Sequence, residues 1–328
     1  MHLVETTHQA LADPGEERNV RARRGRSGRR DPDTVCMRTR AKEVAILVGN
    51  AAGESWLESR LKDRTVRIAT ICSGCDAIAP YLDMIVEELN RIYSLGFSIV
   101  WVFACDNDNT CQRFIIDVHG QTWLGPVFRD AGELSSEDGM AYCVRAKARV
   151  TIPGCDIVIA GTWCGGFSGL NNNRKASMYG SVGKRLGKSG RTFGFVLDYC
   201  MLFSVKALLL ENVGAFTAEG KDPTDEQLKS GLMEATIGLK SDLKMSTRHS
   251  VEGCDEFSQA QNRRRMYLVA VAQSVGGIDD VCYTSFLTKL KRHVKPLSAY
   301  IMTFSECRHD PFFTREKVDI HSAPTGRH

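Results

Sequence analysis

Residues 66–79 read VRIATICSGCDAIA. Val66–Cys72 is a β-branched run that predicts a strand. Ser73-Gly74 predicts a turn, and apolar residues at helical spacing then continue to Leu95. A glycine at the end of a first strand lets the backbone approach a nucleotide-like ligand. The N-terminus of the helix that follows offers it unpaired N–H groups. The turn is not G-x-G-x-x-G, so it does not predict a dinucleotide site.

Working outward, the same alternation repeats. Ser98–Cys105 predicts a second strand, with a helix to about Val118. Val127–Phe128 predicts a short third strand and Asp156–Ala160 a fourth, followed by a Gly- and Asn-rich loop. A helix is expected over Phe193–Phe203, a fifth strand over Ala207–Leu210, a helix near Asp225–Leu239 and a last strand over Met266–Ala272. Strands alternating with helices predict an α/β fold with a doubly wound, mostly parallel sheet. The expected organisation is a disordered basic tail over 1–40, a leading helix over 41–64, the α/β domain over 65–275 and a C-terminal extension over 276–328.

The chain has 328 residues and a formal net charge of +4. The tail holds nine Arg against six acids, leaving the body near neutral. Net charge alone therefore gives no case for nucleic-acid binding, but its placement is uneven. Residues 171–192 hold six Lys and Arg and no acid, with Gly180, Gly183, Gly187 and Gly190 as expected hinges. Arg18, Arg21, Arg23, Arg24, Arg26, Arg29 and Arg30 form a second acid-free run, of nuclear-localisation or phosphate-binding type. No run approaches the ~18 apolar residues of a membrane span, and the N-terminus has no apolar secretory stretch. Twelve Cys in such a chain are expected to stay reduced. Cys72 and Cys75 form a C-x-x-C without a second pair at zinc-ribbon spacing, so no metal site is expected.

Five places carry chemistry. The first is the turn itself: Cys72, Ser73, Gly74, Cys75, Asp76 and Ala77. The second is the second strand's end, where Asp106 and Asn107 precede Asp108. An acid there suits a ribose diol, or caps the next helix. The third is Trp163-Cys164-Gly165-Gly166-Phe167-Ser168 after the fourth strand. Its Cys is either a small core residue or a nucleophile facing the first loop. The fourth is Glu211-Asn212-Val213 ending the fifth strand; an acid there is costly to bury without a partner. The fifth is Gln261-Asn262-Arg263-Arg264-Arg265, suited to phosphate or simply solvated.

Taken in order, these pieces resemble the cytosine-C5 DNA methyltransferases. The family's F-x-G-x-G-G loop resembles Cys72–Ala77, with Cys72 where the family has Phe and Asp76-Ala77 where it has Gly-Gly. Its ribose acid resembles Asp106 and its third-strand acid Asp130. Its P-C-x-x-F-S loop resembles Trp163–Ser168, with Trp163 for Pro. E-N-V and Q-x-R-x-R are intact. The match covers about residues 66–273.

The resemblance implies a Rossmann-like class I methyltransferase fold with a reduced or absent target-recognition region. It implies S-adenosyl-L-methionine as cofactor, bound by Cys72–Ala77, Asp106, Asn107, Asp130 and Trp163. Cys164, Glu211, Arg263 and Arg265 would be catalytic. Phe167, Ser168, Asn212, Gln261, Lys184, Arg185 and Lys188 would meet the substrate, DNA, with the charged loop closing over it. Two alternatives remain open: a tRNA substrate, and a non-catalytic DNA-binding or regulatory module. The Arg run and the implied substrate together point to the nucleus.

Overall fold

The computed structural model describes residues 32–119, 125–167, 182–218, 230–253, 263–278 and 280–291. The Arg run, Ser168 and Gln261 lie outside the described residues, as does most of the C-terminal extension. The described residues begin with helices α1 (Pro32–Ala52) and α2 (Glu54–Leu61). Residues 32–40, read from sequence as tail, are thus helical.

Strands β1 (Thr65–Ile71), β2 (Ser98–Cys105), β3 (Val127–Phe128), β4 (Met140–Cys143), β5 (Ala148–Thr151), β6 (Ile157–Gly161), β7 (Ala207–Val213), β8 (Met245–Gly253) and β9 (Arg264–Ala272) form one sheet. Its order is β5-β4-β3-β2-β1-β6-β7-β9-β8. The centre, β3-β2-β1-β6-β7, is parallel; β4 and β5 on one edge and β9 and β8 on the other run antiparallel to their neighbours. The expected doubly wound, mostly parallel sheet is present. Strand order reverses between β1 and β6, so a crevice opens outside their carboxyl ends.

Helices α3 (Ile78–Tyr93) and α4 (Asn109–His119) cover one face; α5 (Gly187–Leu202) and α6 (Gly231–Ser241) cover the other. Alternation along β2 shows the division. Ala104 packs with Ala79 of α3 and Ile115 of α4, whereas Phe103 and Cys105 face the α5 side. Phe103 meets Phe128 and Tyr199 edge-on, each with ring centroids 5.3 Å apart. Such pairs contribute about 0.5–1.5 kcal/mol beyond area burial. The Tyr199 hydroxyl donates to Pro153 O at 2.7 Å, which satisfies the one polar atom of a buried ring.

The terminal segments dock on this body. α1 lies on α3, with Ala45, Leu57, Leu89 and Leu95 buried together. α7 (Asp280–Leu290) returns to α1, where an Arg40 guanidinium N–H donates to Leu290 O at 2.5 Å. Lys291 pairs with Glu252 of β8 at 2.8 Å.

Three elements differ from the sequence expectation. The β4–β5 hairpin and β8 are short or polar strands, legible only through their ladders with β3 and β9. Helix α5 starts at Gly187 rather than near Phe193, so Gly190 lies within a helix instead of acting as a hinge. Glycine disfavours helices. Here Gly194 leaves room for the Arg185 side chain, which a Cβ would meet at 2.9 Å.

Candidate active site

A cleft of about 430 Å³ lies at the carboxyl ends of β1, β2, β3 and β6. The strand side supplies Cys72, Gly74, Cys105, Asp106, Asn107, Asp108, Asp130, Ala131, Gly161 and Trp163. Helix α5 supplies Lys188, Arg191, Thr192 and Phe195. The sequence reading missed Arg191, Thr192 and Phe195. Their i, i+3, i+4, i+7 spacing from Lys188 is visible only once the helix start is known.

The loop after β1 is held by its own side chains. Cys72, Gly74 and Asp76 all adopt left-handed backbone, with φ of 56°, 57° and 54°. Left-handed Cys and Asp are sterically disfavoured, so other bonds must enforce the path. The Ser73 hydroxyl donates to Thr70 Oγ1 at 2.8 Å, and the Thr70 hydroxyl donates to Asp76 Oδ2 at 3.3 Å. The Gly74 N–H donates to Asp106 Oδ2 at 2.8 Å. Nothing lies within 4 Å of where a Gly74 Cβ would be, so the backbone borders open space in the cleft.

Asp106 does not cap α4. Its Oδ1 accepts the Asp108 N–H at 2.9 Å, and Asp108 does the capping, accepting from the Thr110 and Cys111 N–H groups. Asp130, on the third strand's exit, accepts the Gly132 N–H at 2.8 Å. Burial, then the carboxylates of Asp106 and Asp130, push the Cys72 thiol up to about 12, so it stays protonated.

Four residues of the first loop stand apart from the cleft. Asp76 is 1% exposed and turned inward to Thr70, and its Oδ1 has no hydrogen-bond partner. Burial pushes its carboxyl up to about 7. The Ser73 hydroxyl points inward, Cys75 is exposed and Ala77 occupies the N-cap of α3. Asp76 and Ala77, standing where Gly-Gly was expected, thus shape the turn from beneath.

The loop after β6 carries Cys164, partly exposed. Two glycines follow because their neighbours leave no room for a side chain. A Cβ on Gly165 would lie 2.6 Å from Trp163 Nε1, and one on Gly166 would lie 2.9 Å from Ser189 Oγ. The Gly166 N–H donates to that Ser189 hydroxyl at 3.3 Å, which ties the Cys164 loop to the start of α5. Trp163 is half exposed, with the Lys188 ammonium 5.2 Å from its ring centroid. Phe167 is buried against Phe216 at 4.9 Å and anchors the loop in the core.

β7 places the acid. Glu211 is paired in register with Gly161, three residues before Cys164. In the β7–β9 ladder Val213 faces Arg265, so Glu211 and Arg265 are diagonal neighbours on one face. Arg265 Nε pairs with Glu211 Oε1 at 2.7 Å. Asn212 points the other way, donating to Thr162 Oγ1 at 2.8 Å, and is 1% exposed. It braces the Cys164 loop from below. Arg263 and Lys184 are exposed. Arg185 makes a two-pronged pair with Asp198 at 2.6 and 2.7 Å, and Lys188 faces the cleft. Both side chains have partners within the chain, Arg185 in Asp198 and Lys188 in the Trp163 ring.

No protein-family model matches the chain. The chain is 32% identical over 270 residues to the DNA (cytosine-5-)-methyltransferase DMT5 of Cryptococcus neoformans var. grubii, covering 81% of this chain and 10% of that protein. The protein of the same name from Verticillium dahliae is 27% identical over 199 residues, covering 58% of this chain and 8% of its own length. The chain therefore spans about a tenth of the length of the curated relatives it matches. Among solved structures, the S. pombe Dnmt2 methyltransferase aligns with a TM-score of 0.45 at 15% identity, covering 73% of this chain and 60% of that one. With its ordered motifs at the strand ends and a 270-residue match to a named relative, the chain is similar over that length to a cytosine-C5 DNA methyltransferase.

Proposed function

We propose that this chain methylates C5 of cytosine in DNA through a transient covalent bond from Cys164. One observation carries the reading. Glu211 sits opposite Gly161 and is tied by Arg265 at 2.7 Å, on the strand beside the Cys164 loop and at the edge of the acid-lined cleft. A nucleophile, a carboxyl and a donor-sized cleft share one sheet edge.

The cleft fits S-adenosylmethionine in kind. Gly74 leaves open space beside the backbone, Asp106 presents a carboxylate suited to a ribose diol, and Asp130 lies at the far end. When bound there, the donor supplies an electrophilic methyl group. The chain's own residues prepare the base. The Cys164 thiolate adds to C6 of an extruded cytosine, which raises electron density at C5. Glu211 meets N3 and the exocyclic amine, and Arg265 fixes the orientation of that carboxyl. Arg263, exposed at the entry to β9, is available to a phosphate. Loss of the C5 proton and departure of Cys164 restore the aromatic ring.

The relatives' names favour DNA over tRNA as substrate. The test is transfer of labelled methyl from S-adenosylmethionine to duplex DNA and to tRNA, with wild type and Cys164→Ser. Label in DNA cytosine that disappears with Cys164→Ser supports the reading. Label in tRNA alone moves the substrate. Donor and DNA binding without transfer to either makes the chain a binding module.

A further inference from the structure

The cleft face of α5 is a single stripe whose two ends differ. Lys188, Arg191, Thr192 and Phe195 recur at i, i+3, i+4 and i+7, the spacing of one helix face. The buried side of the helix, including Phe193, Val196, Leu197 and Tyr199, packs on the sheet. At the Lys188 end, its ammonium stands over Trp163 at 5.2 Å. Arg191, one turn along, reaches back to its own helix through a 3.3 Å bond to Gly187 O. At the Phe195 end, the ring lies over the Asp130–Gly132 segment, 3.2 Å from where a Gly132 Cβ would be. The opposite wall carries the carboxylates Asp106, Asp108 and Asp130.

We infer that this stripe recognises both ends of the methyl donor, with Phe195 stacking on the adenine and Lys188 with Arg191 holding the amino-acid carboxylate. The inference rests on the methyltransferase reading above and adds to it the residues that orient the donor. The argument is one of charge and shape. A carboxylate entering a cleft walled by three acids needs cations, since an unpaired charge is costly to desolvate. Among the cleft-lining residues the cations are Lys188 and Arg191, both toward one end. A purine needs a flat apolar partner, and an acceptor for its amine. Phe195 and Asp130 stand together at the other end. The assignment also removes Lys188 from the DNA surface.

Binding of two probes to the full chain tests this by calorimetry. S-adenosylhomocysteine has the carboxylate; 5′-methylthioadenosine has the adenosine without it. The Lys188→Met/Arg191→Met double variant is expected to lose about tenfold or more in affinity for S-adenosylhomocysteine, as charge-assisted bonds are lost. Its affinity for 5′-methylthioadenosine is expected to stay at the wild-type value, which also shows that the variant is folded. Phe195→Leu is expected to weaken both probes and Phe195→Tyr to retain both. A double variant that binds both probes like wild type, or loses both equally, overturns the carboxylate assignment. An unchanged Phe195→Leu overturns the stacking assignment. Wild type that binds neither probe strikes the methyltransferase reading itself, a different result from either failure.

Discussion

The two halves of the sheet's carboxyl edge are built differently. On the β1–β2–β3 side the acids are tied into backbone: Asp106 accepts two N–H groups and Asp130 one. The loop there departs from the family pattern at Cys72, Asp76 and Ala77, yet a left-handed turn forms under a hydroxyl chain from Ser73 through Thr70 to Asp76. On the β6–β7–β9 side the motif residues are intact apart from Trp163, and side chains hold them: Arg265 on Glu211, Asn212 on Thr162, and the Ser189 hydroxyl on the Gly166 N–H. The proposed donor side therefore keeps its shape through local bonds between backbone and nearby side chains. The chemical side depends on particular pairs.

That contrast sets the order of expected effects. Cys164→Ser is expected to lower methyl transfer by about a thousandfold or more, since a nucleophile has no substitute. Donor affinity is expected to hold. If donor binding falls with it, the two sides are not separate.

Asp106→Asn is next. The amide nitrogen must face either the Gly74 or the Asp108 N–H, leaving a donor unsatisfied. A loss of about tenfold in S-adenosylhomocysteine affinity is expected. Full retention breaks the claim that backbone bonds shape the donor side.

On the chemical side, Glu211→Gln and Arg265→Met are expected to be coupled. Because Glu211 is partly exposed, a double-mutant cycle on stability is expected to give only about 1 kcal/mol. The transfer rate falls in either single variant. Additive stability losses contradict the pairing.

Asp76 gives a pH signature on the donor side. Its carboxyl is raised to about 7 by burial, above the value of about 4 in an unfolded chain. The folded state thus holds the proton longer. Stability is unaffected below about pH 4, falls between about 4 and 7 and levels off above. Asp76→Asn is expected to remove that fall, which has a limiting slope of about 1.4 kcal/mol per pH unit. Urea unfolding at pH 5 and pH 8 reads it, and parallel pH profiles for wild type and variant contradict it.

The smallest effect belongs to the basic segment. Arg185→Gln breaks its exposed pair with Asp198 and is expected to cost at most about 1 kcal/mol of stability. It is expected to leave the salt dependence of DNA binding alone, while Lys184→Gln reduces the salt slope by about one at most. A larger change from Arg185 than from Lys184 restores the sequence expectation.

The sequence made the strand ends legible because each core strand is an apolar run that stops at a polar residue: Cys105 before Asp106, Phe128 before Asp130, Leu210 before Glu211. Those stops are also where the site lies, so fold and site were read together. What stayed hidden depends on tertiary partners. The start of α5 was obscured by Gly187, Gly190 and Gly194, and with it the cleft roles of Arg191 and Phe195. Arg185 could not be paired with Asp198 before that helix was seen. The inward turn of Asp76 follows from Thr70, a contact that no local rule supplies. β8 is polar and takes its register from β9.

The central claim is that Cys164 bonds to cytosine C6 while Glu211 holds the base. Fluorine at C5 blocks the final elimination, so DNA carrying 5-fluorocytosine traps the bond. With S-adenosylmethionine present, wild type is expected to form a denaturation-resistant complex with that DNA, and Cys164→Ser none. A complex that persists in Cys164→Ser, or wild type that binds donor and DNA yet traps nothing, contradicts the account.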